Sequence, residues 1–148
     1  MAVIDRDLGY NAIVAELRRL NGHEVNAGIL QDAGNAKNGV PLTDVAFYNE
    51  YGTKKIPSRP FVRIASDENA GAWAKEAANG VGGIIDRSIK WQKCCEMVGK
   101  KMVPDIQKIF GDKSKLAPNA PATVRRKGHD LPLIDTGLMK SRVNYRVD

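Results

Sequence analysis

Ile84-Ile85-Asp86-Arg87-Ser88-Ile89-Lys90-Trp91-Gln92-Lys93-Cys94-Cys95-Glu96-Met97-Val98-Gly99-Lys100-Lys101-Met102-Val103-Pro104-Asp105-Ile106-Gln107-Lys108-Ile109-Phe110 reads as one long helix, and the fold is organised around it. Ile84, Trp91, Cys95, Val98, Met102 and Ile109 lie three, four or seven residues apart and form a single apolar seam. Asp86 with Lys90 and Glu96 with Lys100 have the i,i+4 spacing of ion pairs on the outer face. Pro104 is expected to kink the helix, because it removes a donor and crowds the preceding turn.

Upstream, Asp7 to Leu20 reads as an amphipathic helix with Tyr10, Ile13, Val14, Leu17 and Leu20 on one face. Asp5 and Asp7 suit its start and Asn21-Gly22 its end. Glu24 to Leu30 alternates, with Val25, Ala27 and Ile29 on one side, as a half-buried strand does. Asp32 to Gly39 is a loop or hairpin tip. Thr43 to Tyr51 reads as a short helix capped by Thr43, with an apolar side of Val45, Ala46, Phe47 and Tyr51, and ended by Gly52. Prolines keep Ile56 to Pro60 out of a helix. Phe61 to Ile64 reads as a strand, and Ser66 to about Asn79 as a helix that Ser66 caps, Trp73 anchors and Gly80, Gly82 and Gly83 interrupt. Leu133 to Ser141 is a turn plus about one helical turn. Arg142 to Val147 alternates again and is the closing strand. The expected class is therefore α+β, a small antiparallel sheet packed against a long C-terminal-half helix, with extended basic loops.

At 148 residues the natural count is one domain, spanning 1–148, and about two-thirds of the unfolded surface can be buried. Aromatics make up only 6% of the chain, so the core is expected to be aliphatic. The net charge is +6, and residues 113–148 supply +5 of it, with eight basic against three acidic side chains. A local basic patch draws polyanions or acidic protein surfaces. The adjacent Cys94 and Cys95 lack the spacing of a zinc or redox pair and are expected to be buried thiols in a reducing compartment. No apolar run approaches the length of a bilayer span, and Met1 to Asp7 lacks the pattern of a secretion signal, so no membrane is expected.

The sequence offers no pattern of a reaction centre. His23 and His129 have no partner at metal-ligand spacing. Gly80-Val81-Gly82-Gly83 lacks the Lys-Ser/Thr of a phosphate loop, and no serine sits in a Gly-x-Ser-x-Gly elbow. Asp44 and Glu50 lie six apart on a helix and face different ways. The expectation is a protein without catalysis or cofactor.

Two polar, proline-punctuated basic segments instead suggest docking surfaces: Gly52-Thr53-Lys54-Lys55-Ile56-Pro57-Ser58-Arg59-Pro60-Phe61, and Ala117-Pro118-Asn119-Ala120-Pro121-Ala122-Thr123-Val124-Arg125-Arg126-Lys127-Gly128 within an exposed, flexible loop over about 113–131. If Arg125, Arg126, Lys127, Lys140, Arg142 and Arg146 met DNA, five engaged phosphates would give a log–log salt slope of roughly −4 to −5. A small basic nucleic-acid-binding accessory protein is thus the alternative reading. Against it, the loop carries no interleaved aromatics and no helix-turn-helix or zinc module is visible.

Val45-Ala46-Phe47-Tyr48-Asn49-Glu50-Tyr51-Gly52-Thr53 followed by Ile56-Pro57-Ser58-Arg59-Pro60-Phe61 resembles a pattern of small bacteriophage morphogenesis proteins. Ala117 to Thr123, Lys127-Gly128 and Pro132-Leu133-Ile134-Asp135-Thr136-Gly137-Leu138 resemble the C-terminal signature of the same family, the tail-completion or head–tail joining proteins, including Mu-like virion morphogenesis proteins. The resemblance covers roughly residues 40–65 and 115–148. It implies a structural subunit of the virion neck or tail, assembled in the bacterial cytoplasm into a homo-oligomeric ring, a hexamer or a dodecamer. Its neighbours would be the connector or stopper and the tail terminator or tail tube, with passing contact with DNA allowed.

In that reading Arg59, Pro60 and Phe61 form a rigid corner, with Phe61 buried and Arg59 free to pair with a carboxylate. Asp135, Thr136 and Gly137 start the last helical turn, and the loop from Lys113 to Asp130 orders only against a neighbour. The expected interface comprises Lys54, Lys55, Arg59, Pro60, Phe61, Arg63, Arg125, Arg126, Lys127, Asp135 and Arg142, with Asp67, Glu68 and Glu76 as an acidic counter-patch. A ring needs two different patches on each subunit.

Overall fold

The computed structural model describes Ala2, Ile4 and residues 6–148. Asp5, expected at a helix start, lies outside the described residues. Asp7 does serve there: its carboxylate accepts the backbone N–H groups of Gly9, at 2.9 Å, and Asn11, ahead of α1 (Tyr10–Asn21). Then follow β1 (Val25–Ile29), a 3-10 turn at Gln31–Ala33, α2 (Leu42–Tyr51), α3 (Phe61–Ile85), α4 (Trp91–Ile109), α5 (Pro121–Lys127), α6 (Leu138–Ser141) and β2 (Val143–Val147).

The class is α+β, as the sequence pattern implies. β1 and β2 pair antiparallel, with Val25 opposite Val147 and Ile29 opposite Val143, so the strand after α1 and the last strand form one ribbon. α4 lies across that ribbon and α3 packs antiparallel on α4. Gly99 marks the sheet crossing, where a Cβ would fall inside the Tyr145 ring from β2. Gly80 marks the α3–α4 crossing, where a Cβ would overlap Cys94 Sγ. Phe61, Ala65, Ile106, Ile109, Phe110, Leu116, Met139 and Val143 share the core, with Phe61 and Phe110 edge to face at 4.8 Å between ring centroids. Cys94 and Cys95 are buried free thiols, and burial pushes both thiol pKa values up.

Several boundaries differ from the sequence expectation. Phe61 to Ile64 is helix rather than strand, and Ser66 lies inside α3 rather than capping it. Gly80, Gly82 and Gly83 do not interrupt α3: the missing side chains of Gly80 and Gly83 admit Cys94 of α4 and the Ser88–Ile89 turn, while Gly82 faces open space. The long helix from Ile84 to Phe110 is instead two helices, broken at Asp86 to Lys90. There Arg87 takes a positive φ of 66°, and Asp86 accepts the Ser88 N–H at 2.8 Å rather than pairing with Lys90. Glu96 and Lys100 do pair. α2 starts at Leu42 behind Pro41, so Thr43 is not its cap.

Trp73 is half-buried and donates its indole N–H to the buried Asp105 at 2.9 Å. Trp91 leaves the α4 seam to stack on His23 of the α1 end, with 3.9 Å between ring centroids.

Candidate partner-binding groove

The corner between α2 and α3 is organised by a carboxylate. Glu50 is only 7% exposed and projects from the last turn of α2 to the first turn of α3. Its Oε2 accepts the Val62 N–H and its Oε1 the Arg63 N–H, each at 3.0 Å, so it satisfies two donors that the start of α3 would otherwise leave bare. Arg63 Nε adds a 3.1 Å ion pair to Oε1, and its guanidinium also reaches the Glu50 carbonyl. The Ser58 hydroxyl donates to that same carbonyl at 2.8 Å, and the Arg59 N–H to the Asn49 carbonyl at 2.6 Å. Gly52 turns at φ 77°, where a Cβ would press on the Ser58 backbone. The Asn-Glu-aromatic-Gly stretch and the Arg-Pro-Phe stretch are thus two halves of one joint.

Arg59 joins the two proline-rich segments and is not free to meet a carboxylate. It is 7% exposed; its Nε and Nη2 donate to the carbonyls of Ala117 and Pro118, each at 2.7 Å. Burial lowers its pKa from the usual guanidinium value. The stretch 113–131 is accordingly partly helical and tied to the fold at several points. Leu116 is buried, α5 forms behind Pro121, Lys113 pairs with Asp130 at 2.6 Å, and Lys115 pairs with Glu68 at 2.6 Å. That last pair removes Glu68 from the expected acidic counter-patch.

Between these segments and α6 lies an open groove of about 820 Å³. Its walls include Leu42, Val45, Ile56, Leu133 and Leu138. Lys37, Lys55, Arg126 and Lys127 supply cations and Asp135 the one carboxylate along it. Lys127 is partly spoken for: its Nζ donates to the Ile134 carbonyl at 2.7 Å, and burial lowers its pKa against the opposing pull of Asp135. Asn119 lies where this groove meets a smaller one of about 450 Å³ that Arg125 lines. Its Nδ2 is buried and, alone among the buried side-chain polar atoms described, has no partner.

Of the expected interface residues, the groove brings together Lys55, Arg59, Arg126, Lys127 and Asp135. Pro60 and Phe61 are structural, as N-cap and core of α3. Lys54, Arg63 and Arg142 are exposed outside the groove.

A second surface lies on α2. The buried stripe of α2 is Leu42, Ala46 and Glu50, at i, i+4 and i+8, which turns Phe47 and Tyr51 outward. Phe47, Tyr48 and Tyr51 are 59%, 45% and 60% exposed, and the Arg63 guanidinium lies 5.1 Å from the Tyr51 ring centre. The misleading signal was Glu50: a charged residue in the buried stripe shifts the apparent apolar face by about 100°.

No metal-binding group of three or more His, Cys, Asp or Glu exists among the described residues, and no described helix is long and apolar enough to cross a membrane. In comparisons with known proteins, no family model, curated protein or solved structure matches the chain.

Proposed function

We propose that this chain is a structural subunit of a bacteriophage neck or tail, a tail-completion or head–tail joining protein that acts by assembling into a ring and docking on its neighbours. The observation that carries the reading is the aromatic face of α2. Three adjacent aromatic rings and an arginine, exposed and held on a rigid corner by Glu50, have the composition of an interface anchor rather than of a solvated surface. The groove on the neighbouring side of the same corner supplies a second, chemically different patch, and head-to-tail rings require two such patches. The motifs at Asn49 to Phe61 and Ala117 to Gly137 that resemble the phage family are the ones that build this corner and groove. No catalytic role is part of the proposal.

The test is the mass of the purified chain by sedimentation, alone and with connector rings, together with electron microscopy of the product. Annular particles, or saturable binding to the connector, are expected. Phe47→Ser with Tyr51→Ser is expected to weaken assembly at least about tenfold, equivalent to about 1.4 kcal/mol, with an unchanged circular dichroism spectrum. A chain that stays monomeric, ignores connectors and binds duplex DNA with a salt slope of roughly −4 to −5 would replace this reading with the nucleic-acid one.

A further inference from the structure

Two aliphatic side chains ahead of α1, Ile4 and Leu8, have no place in the chain's own core. Ile4 and Leu8 are 82% and 83% exposed, the most exposed large apolar side chains among the described residues. They belong to Ala2-Val3-Ile4-Asp5-Arg6-Asp7-Leu8, an aliphatic run followed by a carboxylate, Asp5, next to it. The groove offers the complement: an aliphatic floor and cations at Lys55 and Arg126.

The segment cannot reach the groove of its own molecule. The Leu8 carbonyl is held by Arg87 Nη1 at 3.2 Å, just past the C-terminal end of α3. The groove lies at the other end of that helix, beside Arg59. A 25-residue helix is about 37 Å long, whereas the six residues from Leu8 to Ala2 extend at most about 22 Å. The difference exceeds the length of an arginine side chain.

We infer that residues 2–6 of one copy occupy the groove of the next copy, with Ala2 to Ile4 on the aliphatic floor and Asp5 facing Lys55 and Arg126. Arm and groove are different surfaces at opposite ends of α3, so the contact is head-to-tail and propagates around a ring. The inference rests on the self-assembly part of the function proposed above and names the contact that would build it.

The experiment has two arms. Sedimentation compares the full chain with a variant lacking residues 2–6, which retains the Asp7 cap of α1, and with Ile4→Asp, which leaves the backbone whole. Self-association is expected to weaken at least tenfold in both. Separately, a synthetic peptide of residues 1–9 is titrated against the shortened variant. Saturable binding is expected, lost at least tenfold on Lys55→Glu with Arg126→Glu and recovered by a peptide carrying Asp5→Lys. Equal association of all three chains, or peptide binding indifferent to the groove substitutions, would overturn the inference. Rings that form normally without the arm would sink it while leaving the proposed function standing. Peptide binding by a chain that never forms rings or meets a connector would do the reverse.

Discussion

Replacing Glu50 by Gln keeps the shape of the α2–α3 joint and removes its chemistry. The carboxylate takes three donors: the N–H groups of Val62 and Arg63 and the Arg63 Nε. An amide offers one oxygen, and its NH2 must face one of those donors. At least one buried N–H at the start of α3 is left bare, at a cost of about 1–3 kcal/mol. Loss of the negative charge at the helix N-terminus adds about 0.3–1 kcal/mol. The ion pair with Arg63 adds little, because that side chain is 54% exposed and screened by water. The expected total is about 1–4 kcal/mol, or a fall in melting temperature of about 3–16 °C for a domain of this size. Urea and thermal denaturation followed by circular dichroism measure it. Arg63→Ala, which leaves both backbone bonds to the carboxylate, is expected to cost under about 1 kcal/mol. A Glu50→Gln loss no larger than that of Arg63→Ala would refute the assignment of Glu50 as the cap of α3.

Gly99→Ala is expected to destabilise by about 1–2 kcal/mol despite alanine's higher helix propensity, because the new methyl displaces Tyr145; urea midpoints decide it. Arg59→Ala should release Ala117 and Pro118, and limited trypsin digestion should then cut faster at Lys113, Lys115 and Arg125 than in the parent chain. Cys94 and Cys95 should resist a thiol reagent in the folded protein and react on unfolding, since both are buried. Their folded pKa values are raised, so the stability they confer is fully present below the unfolded value of 9.0 and is lost as pH rises toward the folded values. Urea midpoints should fall above about pH 9, and Cys94→Ala with Cys95→Ala should flatten that fall.

The parts of this molecule that were legible beforehand are those in which a local pattern has one outcome. Alternation at Val25 to Ile29 and Val143 to Val147 produced strands, whereas their pairing with each other, with Phe61 to Ile64 helical, belongs to the tertiary fold. Asp7 ahead of α1 and the Glu96–Lys100 pair on α4 depend on neighbours within four residues. The helix break falls elsewhere because glycine has two uses: in isolation Gly80 to Gly83 looks like an interruption, but α4 packs into the space Gly80 leaves and the Ser88–Ile89 turn into that of Gly83.

The groove and the aromatic face come from contacts that no window of sequence contains. Arg59 meets carbonyls 58 and 59 residues away, which turned an anticipated docking cation into an internal brace. Glu50 meets amides 12 and 13 residues away, and its burial rotates α2 so that Phe47 and Tyr51 face outward. Composition and periodicity were enough for a mixed fold with a basic C-terminal quarter. Which charged groups stay available to a partner was decided only when the folded backbone presented unpaired donors and carbonyls, because a buried charge goes where those groups are and not where the local pattern points.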